Sequence, residues 1–217
     1  MSSSDSGAGG VERAPAEAAE VLAEAWPSVQ AFAELLVAEG ELRGLIGPRE
    51  LPRLWTRHLL NSSAVAQFVP EGVRFADVGS GAGFPGIVLA LMRPDVEVHL
   101  IEPMERRVAW LDHVIEQLAI GNATVERARA EELHGTAEFD VVSARAVAAL
   151  RKLVPWVGPL IVPGGSLVAL KGERAAAEIE EAEKALRKYR LRDPSVHEVM
   201  VSGTDELTRV VTAQRAP

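Results

Sequence analysis

The 217-residue chain contains no cysteine, so disulfide bonds are excluded. Its five histidines, His58, His99, His113, His134 and His197, are dispersed without the close spacing of metal ligands, and no metal is expected. No apolar run approaches about 20 residues, and the opening MSSSDSGAGG has neither the basic start nor the hydrophobic core of an export signal. No membrane contact and a cytoplasmic location are expected. An excess of basic side chains is also missing. The 23 Lys and Arg against 31 Asp and Glu leave a net charge of −8, which argues against indiscriminate nucleic-acid binding. Any nucleic-acid contact must therefore be a local patch.

With 47% hydrophobic residues, the chain can bury one core and carry a small extension. Residues 1–14 are Ser, Gly and Ala rich, with little to bury, and read as a disordered tail. Residues 15–70 read as an N-terminal helical extension and 71–217 as one α/β domain. In the extension, helices are expected over 16–25, from Pro27 to a stop at Gly40, and over 51–68. Arg43, Arg49, Arg53 and Arg57 form a cationic patch, either a nucleic-acid contact or ion-pair partners of the Glu-rich preceding helix. His58 and Ser62 fall on the apolar stripe of the 51–68 helix, where a histidine is more often a satisfied core residue than a site group.

The stretch FADVGSGAGFPG, residues 75–86, concentrates special backbone chemistry. A short apolar strand carries Asp77 near its carboxyl end, and Gly79, Gly81 and Gly83 allow positive φ and close approach of a ligand to the backbone. Pro85 suits the first turn of the helix that follows. The next strand, VEVHLI over 96–101, ends in Glu102, 21 residues after Gly81, where an acidic side chain meets ribose hydroxyls. Gly81, Gly83 and Gly86 also satisfy the dinucleotide spacing GxGxxG. Asp77 separates the two readings. A carboxylate before the glycines repels a pyrophosphate but favours the sulfonium and ammonium of S-adenosylmethionine, so that ligand is preferred to NAD.

A third strand over 123–127 precedes Ala130 and Glu131, which are adenine-contact candidates, although Glu131 also reads as a helix start. A fourth strand over 139–143 leads into Arg145, a helix is expected over 147–157, and a fifth strand ends at Lys171. Both cations come from one sheet edge; each is either a site group or the return of the chain to solvent. An amphipathic helix over 173–189 and a hairpin over 195–201 and 207–213 complete a doubly wound, seven-stranded, mostly parallel sheet of the class I S-adenosylmethionine-dependent methyltransferase type.

The segments LWTRHLLNSS (54–63), FADVGSGAGFPGIVLA (75–90), LIEPMERR (100–107), ARAEEL (128–133), FDVVSARAVAAL (139–150) and PGGSLVALKG (163–172) resemble the glucose-inhibited division protein B family of 16S ribosomal RNA guanine-N7 methyltransferases. The resemblance runs from about residue 27 to 213; Asn61 stands where many members carry Asp. It implies S-adenosylmethionine as donor and a guanine of the 530 loop as acceptor, in 16S ribosomal RNA or the small ribosomal subunit; a monomer is expected. It places Asp77, Gly79, Ser80, Gly81, Gly83, Phe84, Glu102, Ala130 and Glu131 in the cofactor shell. Arg145 falls at the junction of cofactor and acceptor. With Lys171 it marks the acceptor side, and His58 becomes a lid or catalytic residue. Guanine N7 has a free lone pair and needs no general base, only in-line placement. The missing cysteine also argues against covalent methylation at pyrimidine carbon 5. The competing readings are an NAD-binding oxidoreductase and a noncatalytic RNA-binding or ribosome-assembly module.

Overall fold

The computed structural model describes residues 10–205 and 207–217. Strands β1 (Arg74–Val78), β2 (Glu97–Ile101), β3 (Ala123–Glu126), β4 (Phe139–Arg145) and β5 (Ile161–Lys171) pair in parallel. β6 (Leu191–Met200) and β7 (Leu207–Arg215) form a hairpin whose second strand runs antiparallel to β5. The order is β3-β2-β1-β4-β5-β7-β6. The chain winds outward from β1 to β3 and returns to β4 on the other side of β1. The β1/β4 boundary is therefore a topological switch point, with a crevice at the carboxyl ends of the strands.

Successive strand residues point to opposite faces and feed two separate cores. On one face Phe75, Val98, Leu100, Val141 and Val168 pack with Val29, Phe32 and Leu36 of α2 (Trp26–Glu39), with Leu22 of α1 (Ala18–Leu22), and with Leu54 and Leu59. On the other face Ala76, Val142, Leu167 and Ala169 pack with Leu150, Leu153 and Val154 of a helix over Leu150–Val157 and with Ala182 and Leu186 of a helix over Ala175–Lys188. Within the helical stretch Ala18–Glu39 an 18-residue window reaches a mean hydropathy of 1.2, long and apolar enough to cross a membrane by length and composition alone, although glutamates interrupt the stretch. Val29, Phe32 and Leu36 spend its apolar face on the sheet, each with no exposed surface.

The continuous helix expected over 51–68 is a series of short turns. These are 3-10 turns over Leu51–Arg53 and Ala66–Phe68, a π-helical segment over Leu54–Leu60, and α3 (Asn61–Ser63). Several carbonyls of this segment also accept from side chains. The Ser62 hydroxyl donates to His58 O at 2.6 Å and Ser63 to Leu60 O at 2.7 Å, while Arg145 donates to Arg57 O and His58 O. Carbonyls shared with side-chain donors in this way accompany bends and irregular turns in helices.

Two further expectations change. β4 runs two residues past Ser143 and takes in Arg145; Ala146 then turns at φ +55, so the following helix opens at Leu150 rather than Val147. The tail expected over 1–14 lies outside the described residues for positions 1–9, but its last part is fixed. The Glu12 N–H donates to Leu51 O at 3.0 Å, and Ala14 packs against the core.

Candidate active site

The loop after β1 folds over the end of β2: the Gly79 and Ser80 N–H groups donate to Ile101 O at 2.8 and 3.3 Å. Gly79 (φ +75), Gly81 (φ +57) and Gly83 (φ +108) occupy backbone conformations that disfavour a side chain. Space is equally restrictive, because a Cβ at Gly79 would stand 2.7 Å from Val147 Cγ2. The loop opens α4 (Gly86–Met92) directly, with Pro85 just before it.

Two buried carboxylates hold this loop. Glu102, 1% exposed, accepts the Gly81 N–H on Oε2 at 3.0 Å and the Met104 N–H on Oε1 at 2.9 Å, with Arg107 at 3.6 Å. Asp77, 0% exposed, accepts the Gly86 N–H on Oδ2 at 3.0 Å, while its Oδ1 has no hydrogen-bond partner. Burial pushes the Asp77 carboxyl up to about 7, against the lowering effects of the Gly86 and Ser80 hydrogen bonds and the Arg145 charge. From the sequence, Asp77 is expected to face the ligand's positive groups. Its side chain instead lies behind the glycine loop and does not line the cavity in front of it.

That cavity, about 640 Å³, is lined by Gly79, Ser80, Gly81, Phe84, Glu102, Ala130, Glu131, His58 and Arg145, so it gathers nine of the residues singled out in the sequence. Gly83 shapes the loop from behind: a Cβ there would meet Ile87 and Phe32. The cavity suits an adenosine-bearing ligand. It presents a carboxylate at the end of β2, apolar wall from Ile101, Pro103 and Met104, and the opening of the 3-10 turn Ala130–Leu133, whose first N–H groups have no intrahelical acceptor. When ionised, Asp77 adds buried negative potential beneath the loop.

Opposite the glycines, Arg145 is tied to the helical segment. Nη2 donates to His58 Nδ1 at 2.7 Å and Arg57 O at 3.0 Å; Nη1 donates to Ser62 Oγ at 3.2 Å and His58 O at 3.3 Å. Its guanidinium carbon lies 5.5 Å from the Phe84 ring centre, and the His58 ring stacks on that same ring at 5.2 Å. His58 Nε2 meets Glu50 Oε2 at 2.7 Å. With Nδ1 accepting from Arg145, the neutral imidazole carries its proton on Nε2 and donates it to Glu50. Burial and the Arg145 charge lower the His58 pKa to about 4, with Glu50 opposing them. Burial also lowers Arg145 to about 10, which leaves it protonated at neutral pH.

Lys171 is placed apart from this cluster. It lies in a second cleft of about 1060 Å³, shared with Arg57, Asn61, Met200 and Leu207, and its ammonium donates to Ala148 O at 2.6 Å and pairs with Glu178 at 2.9 Å. Arg145, Ala146 and Val147 border both cavities and form the partition between them. Sequence reasoning missed Glu50, a turn residue with no local signal, and Glu178, which holds Lys171 while accepting the Leu150 N–H at 2.7 Å.

A doubly wound sheet closed by an antiparallel hairpin, with a glycine loop after β1 and an acid at the end of β2, defines a class I S-adenosylmethionine-dependent methyltransferase. A solved S-adenosylmethionine-dependent O-methyltransferase from Thermotoga maritima shares this fold, with a TM-score of 0.55 and 16% identity over 72% of this chain and 65% of that one. Residues 26–207 match the family described as GidB, rRNA small subunit methyltransferase G, and the chain belongs to that family. It is 52% identical to the Ribosomal RNA small subunit methyltransferase G of Beutenbergia cavernae, over 88% of this chain and 90% of the relative. The corresponding Thermobifida fusca protein is 48% identical over 93% and 84% of the two chains.

Proposed function

We propose that the protein transfers a methyl group from S-adenosylmethionine to guanine N7 in small-subunit ribosomal RNA, in the 530 loop that the sequence resemblance points to. Family membership across 182 residues, from 26 to 207, carries the reading. It gives no support to an NAD oxidoreductase or a noncatalytic module. The bound donor supplies an electrophilic methyl on a sulfonium. Glu102 is suited to the ribose, Ala130 and Glu131 to the adenine edge, and the glycine loop to close backbone approach. Asp77 holds the loop from below.

The site chemistry favours an acceptor that gives up no proton. His58, the histidine at the cavity, has both ring nitrogens engaged, and Arg145 is a permanent cation, so neither is free to act as a base. A ring nitrogen with its own lone pair, such as N7, needs only orientation. In this reading Arg145 and His58 form the wall between donor and acceptor, and Lys171 shapes the acceptor cleft. The protein acts as a monomer in the cytoplasm. Calorimetry with S-adenosylmethionine, followed by methyl transfer to free ribosomal RNA and to small subunits from a strain lacking the enzyme, tests the reading. Transfer to either substrate supports it; binding without transfer to either rejects it.

A further inference from the structure

Residues 12–17 bridge two elements that stand on opposite sides of the second cleft. The Glu12 carboxylate accepts the Trp55 N–H at 2.7 Å and the Thr56 N–H at 3.1 Å on Oε2, and the Thr56 hydroxyl at 2.8 Å on Oε1. These N–H groups open the π-helical segment and have no acceptor within it. A few residues on, the chain packs against the β6–β7 turn: a Cβ at Gly203 would stand 2.9 Å from Pro15 Cβ and 3.2 Å from Glu17 Oε2. Asn61 Nδ2 donates to Thr208 Oγ1 at 2.7 Å and ties the same two elements from inside. The helical segment contributes Arg57 and Asn61 to the cleft; the hairpin contributes Met200, Asp205 and Leu207.

We infer that residues 12–17 are a strap that fixes the helical segment against the β6–β7 hairpin, with Glu12 the positioning residue for His58 and Arg145. Glu12 acts through the segment it holds. Without its carboxylate the Trp55 and Thr56 N–H groups lose their acceptor, and the start of the π turn is free to rewind. The Arg57 and His58 carbonyls then shift with the turn and release Arg145. The glycine loop hangs on Ile101 and Glu102 instead and keeps its geometry. The expected loss of turnover rests on the methyl-transfer reading; the expected change at His58 does not.

The test compares Glu12→Ala and Glu12→Gln in the full chain by S-adenosylmethionine calorimetry, by kcat and KM on small subunits, and by the imidazole ¹⁵N resonances of His58. Glutamine keeps an oxygen for the two backbone N–H groups and an amide that the Thr56 hydroxyl can turn to accept. Glu12→Ala is expected to lower kcat/KM for the RNA at least about tenfold, because small displacements of positioning groups cost up to about 100-fold. Donor affinity should stay unchanged, and the His58 Nδ1 resonance should lose its hydrogen-bonded shift. Glu12→Gln should restore both. Wild-type turnover and His58 resonances in Glu12→Ala, or a Gln variant as impaired as the Ala variant, overturns the inference. Should Glu12→Ala not fold, Thr56→Val removes one of the three bonds and should move the same resonances to a smaller extent; unmoved resonances overturn it. If the wild-type protein methylates no small subunit, the functional reading fails, and the His58 comparison still decides the strap.

Discussion

Arg145 donates to His58 Nδ1 at 2.7 Å and so joins the last residue of β4 to the N-terminal helical segment. The bond crosses 87 residues of sequence and makes the extension part of the cavity wall. It also defines the state of both groups: the imidazole is a neutral acceptor on that side, and the guanidinium has its terminal N–H groups committed inside the protein.

Arg145→Ala should therefore abolish positioning more than donor binding. Methyl transfer is expected to fall about 100-fold or more, with S-adenosylmethionine affinity nearly intact. Arg145→Lys should rescue little, since one ammonium cannot span four acceptors from Arg57, His58 and Ser62. Calorimetry beside initial rates decides it. A variant that loses donor affinity instead moves Arg145 into the donor shell.

Glu102→Ala should weaken S-adenosylmethionine binding about 10- to 100-fold, the equivalent of a charge-assisted hydrogen bond of roughly 1.5–3 kcal/mol. Because Glu102 also accepts the Gly81 and Met104 N–H groups, the loop should lose amide protection from hydrogen exchange at those two positions. Unchanged affinity and unchanged protection would remove Glu102 from both roles.

Asp77 and His58 pull stability in opposite directions with pH. His58 titrates near 4 when folded against an ordinary 6.5, so the unfolded chain binds the extra proton between those values and stability falls as pH drops through that window. Asp77 titrates near 7 when folded against an ordinary 3.8, so its contribution is fully present below 3.8 and is lost as pH rises to about 7. Asp77→Asn removes only the second effect. Its melting temperature relative to wild type should rise between pH 5 and pH 8, while donor affinity falls. A difference independent of pH would show that Asp77 does not titrate within this range.

RNA binding should show a shallow salt dependence. The patch of Arg43, Arg49, Arg53 and Arg57 is partly neutralised within the protein: Arg43 lies 2.6 Å from Glu39, and Arg57 lies 3.6 Å from Glu50. Each phosphate contact contributes about 0.9 or less to the log–log slope. Replacing all four arginines with alanine should lower the slope; an unchanged slope returns them to internal ion pairing.

The fold was largely legible because its signals are local. Strand and helix periods, the glycines after β1 and the 21-residue step to Glu102 are all read within short windows. The site was less legible where one residue's role depends on another far along the chain. Asp77 was correctly placed at the end of β1, but its orientation behind the loop depends on Gly86 lacking a side chain; a Cβ there would stand 2.7 Å from Asp77 Oδ2. The π turn was hidden because Leu54, Trp55, Leu59 and Ser62 are buried as an α-helical stripe would have them. Glu12 sits in a Ser/Gly-rich start that composition alone assigns to disorder, and its partners lie 43 and 44 residues away.

The most direct test of the central claim is nucleoside analysis of the product. Small subunits from a strain lacking the enzyme are incubated with methyl-labelled S-adenosylmethionine and the purified protein, and the RNA is digested and resolved by mass spectrometry. The account predicts one labelled nucleoside, 7-methylguanosine, formed at saturating S-adenosylmethionine at a rate that stays flat from about pH 6.5 to 8.5, since no base must be deprotonated for N7 to attack. Label on a different base, or a rate that rises tenfold per pH unit over that range, contradicts it.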